Sequence, residues 1–306
     1  MSWDGSFLLY AAARWLGYLA AFAIIGVATL RRAVLPRTSA SPATTSPLHQ
    51  VGRLGLVALA VSLGARLYFQ TRSLLDPEDP VTAEFVGLVL ESRWGHGWLA
   101  QATAAVAAFL TWTWVGRRPT SALASGSALV AAGAIAVAAP FTGHAVGLAG
   151  APWYAPLLDL AHFGAGAAWL GTLAMLVVVL RTSAAGAALP GGAGGARGLV
   201  EAFSPVALTA GVIAMASGGI LAFTYLGGIA PLFETVYGRM VLIKLGAIGV
   251  TAGLGAYNWR SVLPRLRAGA PAPVLQTATA EAIVGAIILA CSAVLVSLPA
   301  PGESAE

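Results

Sequence analysis

The 25 residues from Pro156 to Leu180 read PLLDLAHFGAGAAWLGTLAMLVVVL, and they decide the fold class. Asp159 and His162 are the two ionisable residues of this stretch. A helix rises about 1.5 Å per residue, so a helix of this length can cross a hydrocarbon core about 30 Å thick. The stretch therefore predicts a transmembrane helix that carries a carboxylate and an imidazole.

The whole chain has the same apolar character. Of its 306 residues, 58% are hydrophobic and 9% are charged, and the mean hydropathy is +0.80. Soluble domains carry about 25% charged residues, which they need to cover their surface. The composition therefore excludes a soluble globular protein and indicates a polytopic membrane protein.

Seven further apolar segments bring the number of predicted spans to eight. Strand-type alternation is absent from them, and helices satisfy their own backbone groups in lipid. We therefore predict an all-α, eight-transmembrane-helix bundle that forms a single integral membrane domain over residues 1–306. The eight segments lie at 6–30, 53–71, 97–116, 121–140, 156–180, 203–226, 238–258 and 279–299.

The distribution of arginine predicts the orientation of the bundle. One set of alternate loops holds eleven arginines, whereas the other holds only Arg72 and Arg93 together with most of the acidic residues. Because cytoplasmic loops are enriched in positive residues, we expect both termini to lie outside the cytoplasm. The first apolar segment runs too long for a signal peptide, so we expect it to be retained as a helix.

The sequence argues against ATP-driven transport by this chain and against an intramolecular disulfide. Its one lysine, Lys244, is followed by leucine, so there is no GxxxxGK[ST] phosphate-binding loop, and transport driven by ATP within this chain is not expected. The single cysteine, Cys291, cannot form an intramolecular disulfide.

A short internal echo predicts a repeat. The residues LESRWG at 90–95 match FETVYG at 233–238, at an offset of 143. A repeated four-helix unit keeps the same orientation in both copies, which gives parallel halves at 1–140 and 141–306. The interface between such halves is the expected place for a site.

Three of the four histidines gather near one predicted membrane face. Asp159 and His162 lie three residues apart and share one face of their helix. His144 and His96 lie at the same end of neighbouring spans. Ionisable residues inside a bilayer are functional candidates, and a carboxylate that orients an imidazole is a usual device of metal sites. His49 lies in a polar cytoplasmic loop, where we expect no role.

Soft sulfur residues add to this pattern. Met215, Met240 and Cys291 fall in the outer half or near the middle of their predicted spans. Thioether and imidazole together suit copper, especially Cu(I), better than they suit magnesium or calcium. A methionine in an apolar helix more often serves packing, so the two readings stay open at this point.

Four cationic residues also lie within the outer half of the apolar segments. Their ordinary role is to pair with a carboxylate, for which Asp159, Glu84, Glu91 and Glu234 are available. A more specific alternative is that the cationic side chains face an anionic group such as haem propionates. The four residues are Arg14, Arg66, Arg239 and Lys244.

Between residues 142 and 258 a series of short motifs resembles the membrane family of copper resistance protein D (CopD). Their order and spacing carry the resemblance, and the helix count agrees with it. Two features depart from the family: Thr172 stands where a second glycine is expected, and no Met-rich or His-rich outer loop is present. The motifs are TGHA at 142–145, DLAH at 159–162, AWLGTL at 168–173, FSP at 203–205, TVYGR at 235–239, Lys244 and Asn258.

The resemblance implies a multi-pass protein of the bacterial inner membrane that handles copper ions and works with a periplasmic CopC-like copper-binding protein. We therefore expect copper transport or delivery rather than enzymatic catalysis. The predicted metal ligands are His144, His162, His96, Asp159, Met215 and Met240.

Two other readings remain. Paired histidines on facing helices would serve as axial ligands in a b-type haem or quinone-linked electron-transfer protein. A structural or assembly subunit would bind neither haem nor copper.

Overall fold

The computed structural model describes residues 5–38, 45–118, 121–143, 152–184, 193–298 and 301. All regular structure in these ranges is helical, which confirms the predicted all-α class. The helices are α1 Gly5–Thr29, α2 Thr45–Arg72, α3 Ala83–Glu91, α4 Arg93–Arg117, α5 Ala122–Ala138, α6 Ala155–Gly166, α7 Thr172–Ala184, α8 Ala193–Leu226, α9 Ala230–Glu234, α10 Val236–Tyr257, α11 Leu263–Arg267 and α12 Val274–Ser297.

Seven spans in the described residues are long and apolar enough to cross a membrane. They confirm a polytopic helical membrane protein. The span predicted at 121–140 is a shorter apolar helix, Gly126–Thr142, so the described residues hold seven long spans and one short apolar helix rather than the eight predicted spans. The last residues of this helix, Ala139–Thr142, form a 3₁₀ turn that contains Pro140. We call the end of the bundle that holds this turn the outer end, following the predicted orientation.

The helix ends differ from the apolar segments at the opposite end of the bundle. α2 begins at Thr45, α8 at Ala193 and α12 at Val274, several residues before the apolar runs begin. Helical hydrogen bonding continues into polar residues beyond the hydrocarbon core, whereas hydropathy marks only the part that crosses it. The hydropathy pattern therefore located these spans but not their ends.

The two echoed stretches form the same local structure. In each, a short helix ends at a glutamate, and the next residue, Ser92 or Thr235, caps the following long helix. The Ser92 hydroxyl accepts from the Gly95 amide at 3.1 Å, and the Thr235 hydroxyl accepts from the Gly238 amide at 2.9 Å. The likeness is local, and the repeat of a whole four-helix unit stays a prediction.

The helix α1 lies at the centre of the bundle. It packs against α2, α5 and α12 and against the π-helical turn Ala167–Gly171 that joins α6 to α7. At the last contact two glycines meet: a Cβ on Gly26 would lie 2.3 Å from backbone atoms of Gly171. Only residues without a side chain allow the backbones to approach so closely.

The Gly26→Ala substitution is therefore expected to destabilise the bundle by about 1–3 kcal/mol, because the backbones must separate. Thermal unfolding of the purified protein in detergent measures the effect. Gly64→Ala in α2 is the matched control, since a Cβ there meets nothing within 4 Å. An equal melting temperature for Gly26→Ala and the control would contradict this account of the contact between Gly26 and Gly171.

Candidate functional site

The imidazole of His162 is held between three helices. His162 lies on α6, and its Nδ1 is 2.8 Å from the carbonyl oxygen of Ala214 on α8. A carbonyl oxygen only accepts, so Nδ1 carries the proton and Nε2 presents the lone pair. The Nζ atom of Lys244 on α10 lies 3.5 Å from Nε2. In the neutral ring the Nε2 lone pair therefore faces the side-chain nitrogen of Lys244.

The position of the ring depends on a glycine one turn beyond Ala214. A Cβ on Gly218 would lie 2.6 Å from Cε1 and 2.7 Å from Nδ1 of His162. Such contacts do not occur between real atoms, so the ring would have to move. The bare backbone of α8 at Gly218 and the Ala214 carbonyl together form the seat of the imidazole.

Asp159 lies one turn closer to the outer end on the same helix. Its carboxylate oxygen Oδ2 accepts from the Tyr225 hydroxyl at 3.4 Å. The carboxylate does not hold the Nδ1 atom of His162, which was its predicted role, because the Ala214 carbonyl occupies that position. Asp159 and Cys291 both lie within electrostatic range of Lys244. We call Asp159, His162, Tyr225 and Lys244 the histidine site.

The structure brings only part of the predicted ligand set to this site. His96 is exposed in the first turn of α4, and Met215 is 46% exposed, about 100° around α8 from Ala214. Met240 is partly buried and packs against the apolar cluster around Tyr225. His144 lies outside the described residues.

The described residues contain no group of three His, Cys, Asp or Glu side chains arranged to hold a metal ion. Convergence of the six predicted ligands on one ion therefore stays a prediction. The haem alternative gains no support in the same part of the chain, since the group that faces Nε2 of His162 is Lys244 rather than a second imidazole.

The intramembrane cations do not pair with carboxylates in the described part of the chain, so that expectation is wrong there. The guanidinium of Arg239 donates to the backbone oxygen of Glu234 at 3.3 Å. The ammonium of Lys244 contacts His162. Arg14 and Arg66 donate to neutral oxygens.

Sequence reasoning missed a buried acid at the opposite end of the bundle from the histidine site. Glu281 on α12 is 5% exposed, and its Oε1 accepts a hydrogen bond from the side-chain amide of Asn258. Asn258 opens the π-helical turn that follows α10. The available signal was a single carboxylate within an apolar segment, a pattern that marks functional positions in membrane spans.

A polar stripe connects the histidine site with this acid. Lys244, Thr251 and Asn258 are spaced seven residues apart, which places them on one face of the helix. Thr251 is 1% exposed, and α10 packs against α12, which carries Glu281. The face of α10 that begins at the histidine site thus carries polar residues as far as the contact between Asn258 and Glu281.

The fold and this partly buried imidazole define the class: a multi-pass helical membrane protein with ionisable groups inside its bundle. "Copper resistance protein D-like, N-terminal domain" matches residues 4–154, and "Copper resistance protein D" matches residues 197–295. Together they span most of the chain, which belongs to the copper resistance protein D family. Ala214, Gly218, Tyr225 and Lys244 fall in the second match, whereas Asp159 and His162 fall between the two.

One similar protein is the copper transport protein CutJ of Bacillus subtilis (strain 168). It is 30% identical over 177 residues, which are 55% of this chain and 30% of CutJ. The matched part of the chain thus spans less than a third of that relative's length. No solved structure matches the chain.

Proposed function

We propose that this chain transports or delivers copper ions, which enter at the outer end of the bundle and bind His162. The observation that carries the proposal is the Nε2 atom of His162 inside the bundle, which bears the lone pair of the neutral ring because the Ala214 carbonyl holds the proton on Nδ1. Membership of the copper resistance protein D family and the likeness to CutJ support copper as the ion.

Lys244 holds the position that the ion would take. Its ammonium lies 3.5 Å from Nε2, so binding of a cation requires the lysine side chain to swing away. Cys291 is buried within electrostatic range of Lys244, and Met240 lies one turn before Lys244 on α10. A thiolate and a thioether are soft donors that suit Cu(I), and either completes the site in this proposal.

Entry and exit complete the proposed path. His96 and His144 receive the ion at the mouth, from a periplasmic CopC-like donor, while both termini lie on that side of the inner membrane. Asp159 contributes negative charge one turn above His162. Onward movement follows the polar stripe of α10 towards Glu281, and rearrangement of the two halves opens the path.

The proposal is tested by copper flux into proteoliposomes that contain the purified full chain. Vesicles enclose a Cu(I)-specific chromophore, and Cu(I) is supplied outside as a chelate without ATP. We expect uptake well above that of protein-free vesicles. Uptake equal to that of protein-free vesicles, together with no binding of copper by the protein, would reject a copper function.

The Lys244→Met variant is expected to bind Cu(I) more than about tenfold more tightly, since charges 4 Å apart interact by about 4 kcal/mol at an effective dielectric constant of 20. The substitution removes the ammonium that faces Nε2 and adds a thioether. Competition with a chromogenic Cu(I) chelator measures the affinity. Arg239→Met on the same helix is the control, because Arg239 is exposed. An unchanged or lower affinity for Lys244→Met would show that Lys244 does not compete with the ion.

A further inference from the structure

A second polar cluster lies in the first half of the chain, near the outer end. It brings together side chains from three helices and from the turn that follows α5, and each is between 5% and 7% exposed. We call it the arginine site. Its members are Arg14 on α1, Arg66 on α2, Gln101 on α4 and Thr142.

The two guanidinium groups converge on one residue. Arg14 Nη1 lies 3.3 Å from the backbone oxygen of Thr142, and Arg66 Nη2 lies 2.6 Å from its hydroxyl oxygen. Arg14 also donates to the Tyr10 hydroxyl at 2.7 Å, and Arg66 donates to Gln101 Oε1 at 2.8 Å. Every acceptor at the site is therefore a neutral oxygen.

The site carries two positive charges that nothing in the described part of the chain neutralises. Neither Arg14 nor Arg66 forms an ion pair there, and the Nε–H group of each is buried without a hydrogen-bond partner. Burial of a single unpaired charge is costly, and two like charges that share one residue also repel each other. An anion would offset both the cost of burying the charges and their mutual repulsion. It would also accept hydrogen bonds from the two open Nε–H groups.

We propose that the arginine site binds an oxyanion, a carboxylate or a phosphate group, between Arg14 and Arg66. A guanidinium presents its donors as a planar fork that matches these groups, which chloride does not. Thr142 ends the 3₁₀ turn at the outer end, so the ligand enters from that side. This site is independent of the proposed copper function.

Gln101 of the arginine site and Lys244 of the histidine site hold corresponding positions after the two echoed stretches. Gln101 lies six residues after Gly95, and Lys244 lies six residues after Gly238. Gln101 contacts Arg66, whereas Lys244 contacts His162. Of the two corresponding residues, one thus belongs to the arginine site and the other to the histidine site.

Thermal unfolding of the purified full chain tests the proposal. Sodium acetate or sodium phosphate replaces sodium chloride at constant ionic strength, and the chain is kept in micelles of dodecyl maltoside, a detergent without phosphate or carboxylate groups. We expect a saturable rise in melting temperature with at least one of the two anions. Loss of a charge-assisted hydrogen bond in Arg14→Gln or Arg66→Gln should weaken the apparent affinity by about tenfold or more.

Arg93→Gln is the matched control, because Arg93 is an exposed arginine at the outer end. It should respond to the anions as the wild type does. If Arg66→Gln fails to fold, Arg66→Lys replaces it, since lysine keeps the charge but loses the fork and should also bind more weakly.

A second arm identifies the source of the anion. Phosphatidylglycerol added to the same micelles, without acetate or free phosphate, should stabilise the wild type but not Arg66→Gln if the ligand is a lipid phosphate. Stabilisation by dissolved anions alone assigns the site to a small solute. The proposal is overturned if no anion or lipid has an effect, or if the arginine variants respond as fully as Arg93→Gln.

Discussion

Replacement of His162 by alanine is expected to lower the affinity of the chain for Cu(I) by more than about tenfold, since even loss of a group that merely orients a ligand costs 10–100-fold. Copper flux into proteoliposomes should fall to the level of protein-free vesicles. The physical reason is that Nε2 of His162 carries the lone pair that binds copper in this proposal. The Ala214 carbonyl sets the tautomer of the imidazole, because it accepts the hydrogen bond from Nδ1. Chelator competition and the flux assay measure the two quantities.

His49→Ala is the matched control for this substitution. His49 stacks on Trp112 at the opposite end of the bundle and makes no contact with the histidine site. It should lose some stability and keep its copper affinity. A His162→Ala protein that folds normally and still binds and moves copper like the wild type would remove His162 from the mechanism.

The Gly218→Ala substitution is expected to weaken Cu(I) binding by about 10–100-fold although it removes no ligand. The new methyl group would lie 2.6 Å from the His162 ring, so the imidazole must turn away and lose its bond to the Ala214 carbonyl. The same chelator competition measures the affinity, and thermal unfolding reports whether the bundle remains intact.

The neighbouring glycine offers an unusually close control. A Cβ on Gly219 meets nothing within 4 Å, so Gly219→Ala makes the same chemical change on a different face of α8. Its copper affinity should equal that of the wild type. Equal affinities for Gly218→Ala and Gly219→Ala would mean that the seat of the imidazole does not matter for binding.

The sequence was sufficient to predict the membrane class and to single out two residues of the histidine site as candidates. Asp159 and His162 stand out because ionisable groups are expensive in an apolar span. The partners of His162 could not be predicted in the same way. A backbone carbonyl such as that of Ala214 has no sequence signature, and Gly218 is one glycine among 37. Their roles arise only when α6 packs against α8.

The contact between Lys244 and His162 likewise arises from the packing of helices. The sequence favoured a carboxylate partner for each intramembrane cation, because opposite charges usually pair in lipid. The packing of α10 instead directs Lys244 to the imidazole. The short helices α3 and α9 escaped the hydropathy pattern because they are too short to cross a membrane.

X-ray absorption spectroscopy at the copper edge tests the central claim most directly, because it reports the atoms bound to copper. The full chain is loaded with one equivalent of Cu(I) and compared with His162→Ala loaded in the same way. The account predicts imidazole nitrogen scattering in the wild type and its loss in the variant. Identical spectra from the two proteins would contradict it.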